Sequence, residues 1–393
     1  MKRIIFMGVP AFGHTNPTLL VVQKLVENGH QVRYYTVSNF KESLERLGAE
    51  VICYDEKIAY MTVEHVNQPT HNQKKHFAAL LAIVSEAIED IRNTYLEEIG
   101  AWQPDVIVGD SLALWASVIA DNLDVPYVSY NTHFAFNEQT PTMLSDTSFK
   151  DNFKMFLHLP EMMANYQKIK RLGYPTKHVT DLAFTRSDCP VIVTTSQNFQ
   201  PAGASFDENI HFVGPVIRES TAVWKKSNRP LVYISLGTVN NQASDFYRHC
   251  FTALGNKEFD VLLSVGAKTD INSLGQTPQN FQVAHSFDQI AVLKSADVFL
   301  THCGLNSTSE ALYYEVPLLV FPQTVEQNMV AEQVLAAGAG FKLESCAPTT
   351  IAQGIEEVLY HANYKKQASK VAQDFRASCG VEAAMQIILN PKQ

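Results

Sequence analysis

The 393-residue chain has no extended run of basic residues, no apolar stretch near membrane length and no paired cysteines. Each absence removes a class of function. Acidic side chains number 40 against 31 basic ones, a formal net charge of −9, and no Lys/Arg run marks a nucleic-acid surface. No segment approaches the roughly 20 apolar residues that a spanning helix needs, so no membrane role is expected. Met1-Lys-Arg followed by Ile-Ile-Phe-Met resembles a signal peptide only briefly. Pro10 and Gly13 break it, and it reads as a buried first strand. The six cysteines (53, 189, 250, 303, 346 and 379) show neither pairing nor metal spacing, which fits reduced thiols in the cytoplasm. No Asp-x-Asp pair offers itself to a divalent ion, and no short-period repeat or low-complexity segment occurs.

What is present is alternation. Hydrophobic residues make up 46% of the chain, ample for two domains of roughly 200 residues each. Continuous apolar strands at Arg3–Gly8, His30–Val37, Glu50–Tyr54, Asp105–Asp110, Pro126–Tyr130 and Pro190–Thr195 are separated by helical patterns. That arrangement predicts a parallel sheet covered on both faces. The polar stretch Arg218–Arg229 interrupts it and reads as a linker. A second alternation follows at 231–236, 260–265, 281–284, 298–301 and 318–321. Domains of 1–217 and 230–370 result, with a closing helical segment over 371–393.

The richest stretch is Thr301-His302-Cys303-Gly304-Leu305-Asn306-Ser307-Thr308-Ser309-Glu310. It follows an apolar strand and opens a helix. Gly304 lets backbone approach a ligand, and Asn306, Ser307 and Thr308 suit the helix start, where unpaired N–H groups bind anions. His302 adds a ring donor. Ser307 and Glu310 alone would also fit a capping box. Sixteen residues beyond Glu310, however, Glu326-Gln327 follows a second strand. Phosphate donors, a carboxylate and then a carboxylate–amide pair suit a nucleotide diphosphate carrying a sugar.

The loop after the first strand, Gly8-Val-Pro-Ala-Phe-Gly13-His14-Thr15-Asn16-Pro17, is not a dinucleotide loop, because Pro10 stands where the second glycine belongs. Instead a histidine projects from the strand's C-terminal end, ahead of Asn16-Pro17, a good N-cap and N1 pair. Transfer of a sugar to a hydroxyl needs a base, and an imidazole can take that proton near neutral pH. Asp110 ends the strand Asp105-Val-Ile-Val-Gly-Asp110 at the same sheet edge, where it could orient the ring; it is also a plausible turn former before Ser111. His133 lies past another strand end and is a candidate acceptor-pocket residue.

The block from about Ser286 to Gln327 resembles the nucleotide-sugar signature of UDP-glycosyltransferases. The whole chain is similar to the bacterial macrolide and flavonoid glycosyltransferases of glycosyltransferase family 1. The resemblance implies the GT-B architecture, two doubly wound Rossmann-like α/β domains facing across a cleft, with the last helix returning to the first domain. It places the family's His–Asp dyad on His14 and Asp110. It puts Ser235, Gly237 and Thr238 at a phosphate-facing turn, His302, Gly304, Asn306 and Ser307 on the diphosphate, and Glu310 on the ribose. Glu326 and Gln327 would hold the sugar hydroxyls; relatives often carry Asp at the first of these. Plant members stack uracil on a Trp three positions before a Gln. Here Ser286-Phe287-Asp288-Gln289 has Ser at that place, which leaves the Phe287 ring or its backbone to meet the base, uracil or thymine, with Phe287 and Gln289 both counted in the donor site.

The expected protein is a cytoplasmic, monomeric, inverting and metal-independent enzyme without cofactor. It takes a UDP-sugar, with glucose favoured, and a hydrophobic acceptor such as a flavonoid, another phenol or a macrolide. Apolar and Met-rich stretches from about Ile58 to Phe77 and Asn131 to Arg171 suit such an acceptor, and suit a helix core equally. Examples are Phe134, Phe136, Met143, Met155, Phe156, Leu157, Met162 and Met163. The rivals are a nucleotide-sugar 2-epimerase of the same fold, a lipid-linked sugar transferase and a silent nucleotide-sugar sensor.

Overall fold

The two alternations become two parallel sheets. The structure, a computed structural model, describes residues 1–56, 58, 73–140, 159–222, 224–237 and 241–391. Thr238, Met143, Met155, Phe156, Leu157 and most of 58–77 therefore lie outside the described residues or their side chains.

The first sheet contains β1 (Arg3–Met7), β2 (Gln31–Thr36), β3 (Glu50–Cys53), β4 (Val106–Asp110), β5 (Tyr127–Asn131), β6 (Val191–Val193) and β7 (Ile210–Phe212). Their order is β3-β2-β1-β4-β5-β6-β7, every pair parallel. Ile4 to Met7 and Val106 to Val108 are buried throughout. Their apolar runs do not alternate because helices cover both faces. Those helices include α1 (Phe12–Glu27), α2 (Ser38–Glu45), α3 (Gln73–Trp102), α4 (Leu114–Leu123) and α5 (Leu159–Arg171).

The second sheet contains β8 (Leu231–Ser235), β9 (Asp260–Ser264), β10 (Phe281–Ala284), β11 (Val298–Thr301), β12 (Leu318–Val320) and β13 (Gly340–Lys342). Its order is β10-β9-β8-β11-β12-β13, again all parallel. Its helices are α6 (Ser244–Leu254), α7 (Gln289–Leu293), α8 (Leu305–Tyr313), α9 (Val325–Ala336), α10 (Pro348–Tyr360) and α11 (Ala362–Ala377), and α12 (Gly380–Leu389) closes the chain. Both sheets are doubly wound. Strand order reverses between β1 and β4 in one and between β8 and β11 in the other, and the loops beyond such a switch point are where ligands bind.

One compact unit comprises residues 1–194, 201–216 and 379–393; the other comprises 195–200 and 217–378. The residues read as a linker are held within the second unit. Arg218 and Ser220 both bind the Asp288 carboxylate, Lys226 pairs with Asp297, and Ser227 Oγ donates to Asp260 at 2.6 Å. The last helix belongs to the first unit. A left-handed turn at Cys379 (φ 61°) and Gly380 (φ 44°) redirects the chain after α11. Gly380 N–H then donates to the Val213 carbonyl (2.8 Å), and Lys2 Nζ reaches the Leu389 carbonyl at 2.5 Å. Ala384 and Ile388 are fully buried in the first unit's core.

Two short strands escape the hydrophobic pattern, β7 and β13, each three residues long at a sheet edge. The start of α1 also differs from expectation. It begins at Phe12 with Ala11 as N-cap, and Pro17 lies inside it. His14 is therefore in the first helical turn and not in a loop. The backbone bonds His14 N–H→Ala11 O (3.0 Å) and Thr15 N–H→Ala11 O (2.8 Å) start the helix early, and Tyr130 OH donates to the Pro17 carbonyl at 2.9 Å.

Since Ile388 is fully enclosed, Ile388→Ala should destabilise the first unit by about 2–5 kcal/mol in urea unfolding. A loss within about 0.5 kcal/mol would mean that α12 is not part of that core.

Candidate active site

The first constellation stands beyond the switch point of the first sheet. His14, one turn into α1, and Asp110, the last residue of β4, flank the reversal. His14 Nδ1 lies 2.7 Å from Asp110 Oδ2, with side-chain exposures of 17% and 5%. The other carboxylate oxygen accepts the Leu112 N–H at 2.8 Å. One side chain makes both contacts, to the turn through Oδ1 and to the imidazole through Oδ2. Thr132 Oγ1 lies 3.1 Å from the same Nδ1. A carboxylate only accepts, so Nδ1 carries the proton and the basic lone pair belongs to Nε2.

Beneath the pair is a cavity of about 10 Å³, lined by Gly8, Thr18, Tyr34 and Tyr130 among others. That is the space of about one water. Thr18 Oγ donates to Thr15 O (2.8 Å), so Tyr34 OH, 3.1 Å away, donates to Thr18. Burial pushes the Tyr34 hydroxyl up to about 12, which keeps it neutral. The Thr18 and Tyr34 hydroxyls on this lining are therefore hydrogen-bonded and uncharged.

The second constellation stands beyond the switch point of the second sheet. Gly237 follows β8, and His302 follows β11. A Cβ on Gly237 would fall 2.5 Å from His302 Cε1, and one on Gly304 2.9 Å from Nε2. These glycines make room for the imidazole, a different use of Gly304 from the ligand approach expected of it. Gly237 also has φ 79°, its N–H approaches Ser235 Oγ at 3.3 Å, and Asn241 Nδ2 donates to its carbonyl at 2.8 Å. His302 Nδ1 is buried without a well-formed hydrogen bond. Burial pulls the His302 imidazole down to about 4, with the Ser235 backbone opposing the shift, so the ring is neutral near pH 7.

Gly304 is the N-cap of α8, without a side-chain cap, so Asn306 and Ser307 sit in the first turn. Ser307 is not the cap, and the capping-box alternative with Glu310 does not form. Thr308 N–H already donates to Gly304 O (3.0 Å). The first-turn N–H groups of a helix are the donors that its start turns toward an anion, and Leu305 and Ser307 stand in that turn.

Gln289, first residue of α7, joins this group. Its amide nitrogen donates to Glu310 Oε2 (2.5 Å) and to Ser307 Oγ (3.2 Å), and its oxygen accepts from Tyr233 OH at 3.3 Å. Burial pushes the Glu310 carboxyl up, against the Gln289 amide. Glu310 keeps a window to solvent although protein surrounds it on most sides. Glu326 and Gln327 open α9. Glu326 is exposed, whereas Gln327 Oε1 accepts the Gln323 N–H at 2.8 Å. Gln327 therefore keeps its amide donors for a ligand, while one of its oxygen's two acceptor sites is taken. Phe287 meets Trp224 edge-to-face, centroids 5.6 Å apart. Trp224 was not legible in the sequence, because it comes from the stretch read as linker. Thr132 was missed too, although it follows β5 as Ser111 follows β4. Among the described residues, no group of three His, Cys, Asp or Glu stands together as a metal ion would need, and no helix is long and apolar enough to cross a membrane.

Comparison with known proteins places this arrangement. Residues 248–388 match the family model for the C-terminal domain of erythromycin biosynthesis protein CIII-like proteins. The chain is 30% identical to the uncharacterized UDP-glucosyltransferase YojK of Bacillus subtilis, over 99% of this chain and 97% of that protein. It is likewise 30% identical to the NDP-glycosyltransferase YjiC of Bacillus subtilis, over 98% and 96%. The fold matches the calicheamicin glycosyltransferase CalG4 with a TM-score of 0.81 at 24% identity, covering 99% of this chain and 98% of that one. The chain belongs to the bacterial glycosyltransferases of family 1, and its two doubly wound units are the GT-B fold.

The lowered His302 pKa sets a sign for stability. The folded state binds that proton less well than the unfolded chain does. His302 therefore contributes stability above about pH 6.5 that is lost as pH falls toward about 4. Glu310, shifted up, acts in the opposite sense and is common to wild type and variant. The stability advantage of wild type over His302→Asn should shrink by up to about 3 kcal/mol between pH 7 and 4, less what solvent screening removes. Urea titrations at several pH values measure it; an advantage that grows on acidification would contradict the neutral ring.

Proposed function

We propose that the protein transfers a sugar from a UDP-sugar, glucose by preference, to a hydroxyl of a hydrophobic small molecule. The acceptor is a phenol such as a flavonoid, or a macrolide, and the product is a β-glycoside. The observation that carries the reading is the 2.7 Å contact of His14 Nδ1 with Asp110. That contact directs the ring's lone pair to Nε2, where it takes the acceptor's proton as the oxygen attacks the anomeric carbon. Asp110 stabilises the imidazolium that results. With no protein nucleophile assigned, attack is opposite to the departing diphosphate, and the α-linked donor inverts.

On the donor side, His302 and the N–H groups opening α8 take the diphosphate. Glu310, braced by Gln289, accepts from the ribose. Glu326 and the Gln327 amide donors hold the sugar hydroxyls, and Phe287 with Trp224 covers the base. The diphosphate's charge is met by these donors, so no divalent ion is required. Apolar surface beside the base supports a hydrophobic acceptor. Phe12, two residues before His14, is 52% exposed, and Leu112, two residues after Asp110, is 42% exposed. The likeness to the Bacillus UDP-glucosyltransferase and NDP-glycosyltransferase supports the donor class, and the likeness to the calicheamicin glycosyltransferase supports a natural-product acceptor.

His14→Ala should cut turnover of UDP-glucose with a phenol by roughly 10² or more while UDP affinity stays near wild type. Calorimetry with UDP and product quantification by mass check both halves; near-normal turnover would refute the base. Activity should also survive dialysis against chelator. A loss restored only by Mg²⁺ or Mn²⁺ would reassign Glu310 or Glu326 to metal binding.

A further inference from the structure

Beside the His14–Asp110 pair, in the same unit, stands a second hydrogen-bonded pair that the proposed reaction does not use. Ser111 follows Asp110 directly, and His133 follows Thr132. The loops after β4 and β5 lie side by side because Asp110 pairs with Tyr130 across the parallel ladder. Ser111 Oγ and His133 Nε2 are 2.8 Å apart, and His133 Nδ1 is 2.7 Å from the Phe134 carbonyl.

The direction of each bond is fixed by chemistry. A backbone carbonyl only accepts, so Nδ1 of His133 carries the ring proton. Its Nε2 then has only a lone pair, and Ser111 must donate its single hydroxyl proton to it. The ring is also stacked on Phe136, with centroids 5.6 Å apart and planes 27° from parallel, which opposes a flip. Ser111 is thereby left with nothing but lone pairs toward any ligand. Neither side chain is fully buried.

We propose that Ser111, held by His133, is an acceptor-positioning residue that selects substrates carrying a second hydroxyl next to the one glycosylated. Such a substrate donates its neighbouring O–H to Ser111 Oγ while its reacting O–H meets His14. A methyl ether at that place sets lone pair against lone pair and is rejected. The substrate class is ortho-dihydroxy aromatics or vicinal diols, and it rests on the glycosyltransferase reading given above. A nucleophilic role for Ser111 is less well supported, because His133 is backed by a neutral carbonyl and not by a carboxylate.

The test compares catechol with 2-methoxyphenol by equilibrium binding, which needs no turnover. Wild type should bind catechol about tenfold more tightly, the effect of one hydrogen bond gained against one lone-pair clash. In His133→Phe the Ser111 hydroxyl is released to donate, and the ratio should fall to within about twofold of unity. Ser111→Ala should do the same. The His133 variant keeps Ser111 in place, so its change does not reflect extra room for the methyl group. Thermal melts identify any variant that fails to fold. Imidazole ¹⁵N spectra of the wild type provide a reading independent of any variant: His133 should show the Nδ1-protonated tautomer. Equal binding of the two phenols, binding of neither, an unchanged ratio in folded His133→Phe, or the Nε2-protonated tautomer would each overturn the proposal. Catechol bound with the expected preference but never glycosylated would instead fault the glycosyltransferase reading and leave the subsite standing.

Discussion

Parallel pairing is the constraint on which the rest of this molecule depends. Every parallel strand delivers its following loop to the same sheet edge, and a doubly wound order opens a gap where the direction of winding reverses. In the first unit that gap lies between β1 and β4, and His14 and Asp110 are the residues delivered there. In the second it lies between β8 and β11, and Gly237 and His302 stand there. Chemistry that looks scattered over hundreds of positions in sequence is thus gathered at two points by backbone topology alone.

Within each point, burial decides what the side chains can be. His302 is neutral because its surroundings disfavour a second proton, and it is held between two glycines that cannot be enlarged without moving the ring. It suits a hydrogen-bond donor better than a cation. Asp110 is also buried, yet both its oxygens are engaged, one by His14 and the other by the Leu112 N–H. The two histidines thus differ in their surroundings: His302 is enclosed beside two glycines, whereas His14 keeps 17% of its side chain exposed and has a carboxylate partner.

The sheet strands were legible because runs such as Val106-Ile107-Val108 are buried on both faces. So were the two histidines, because each follows such a run. The edge strands β7 and β13 were not, since three residues against one neighbour leave little pattern. The start of α1 was misjudged because Asn16-Pro17 is a strong local signal. Tertiary anchoring, including the Tyr130 bond to the Pro17 carbonyl, holds Pro17 inside the helix instead. Ser307 and Glu310 match a capping box by spacing, but Gly304 takes the cap and turns Glu310 toward Gln289. Trp224 was invisible because its polar neighbours suggested a free linker, whereas Arg218, Lys226 and Ser227 tie that segment down. Side-chain bonds over long sequence distances are what local pattern does not contain.

The central claim is that an acceptor oxygen, deprotonated at His14, displaces a nucleoside diphosphate directly. The anomeric configuration of the product tests it most directly. The protein would be incubated with α-linked UDP-glucose and a simple phenol, and the isolated product examined by proton NMR. The account predicts the β-glucoside, with the large axial–axial coupling at the anomeric proton. An α-glucoside would require either a covalent protein intermediate or attack from the leaving-group side, and would contradict the mechanism assigned to His14 and Asp110.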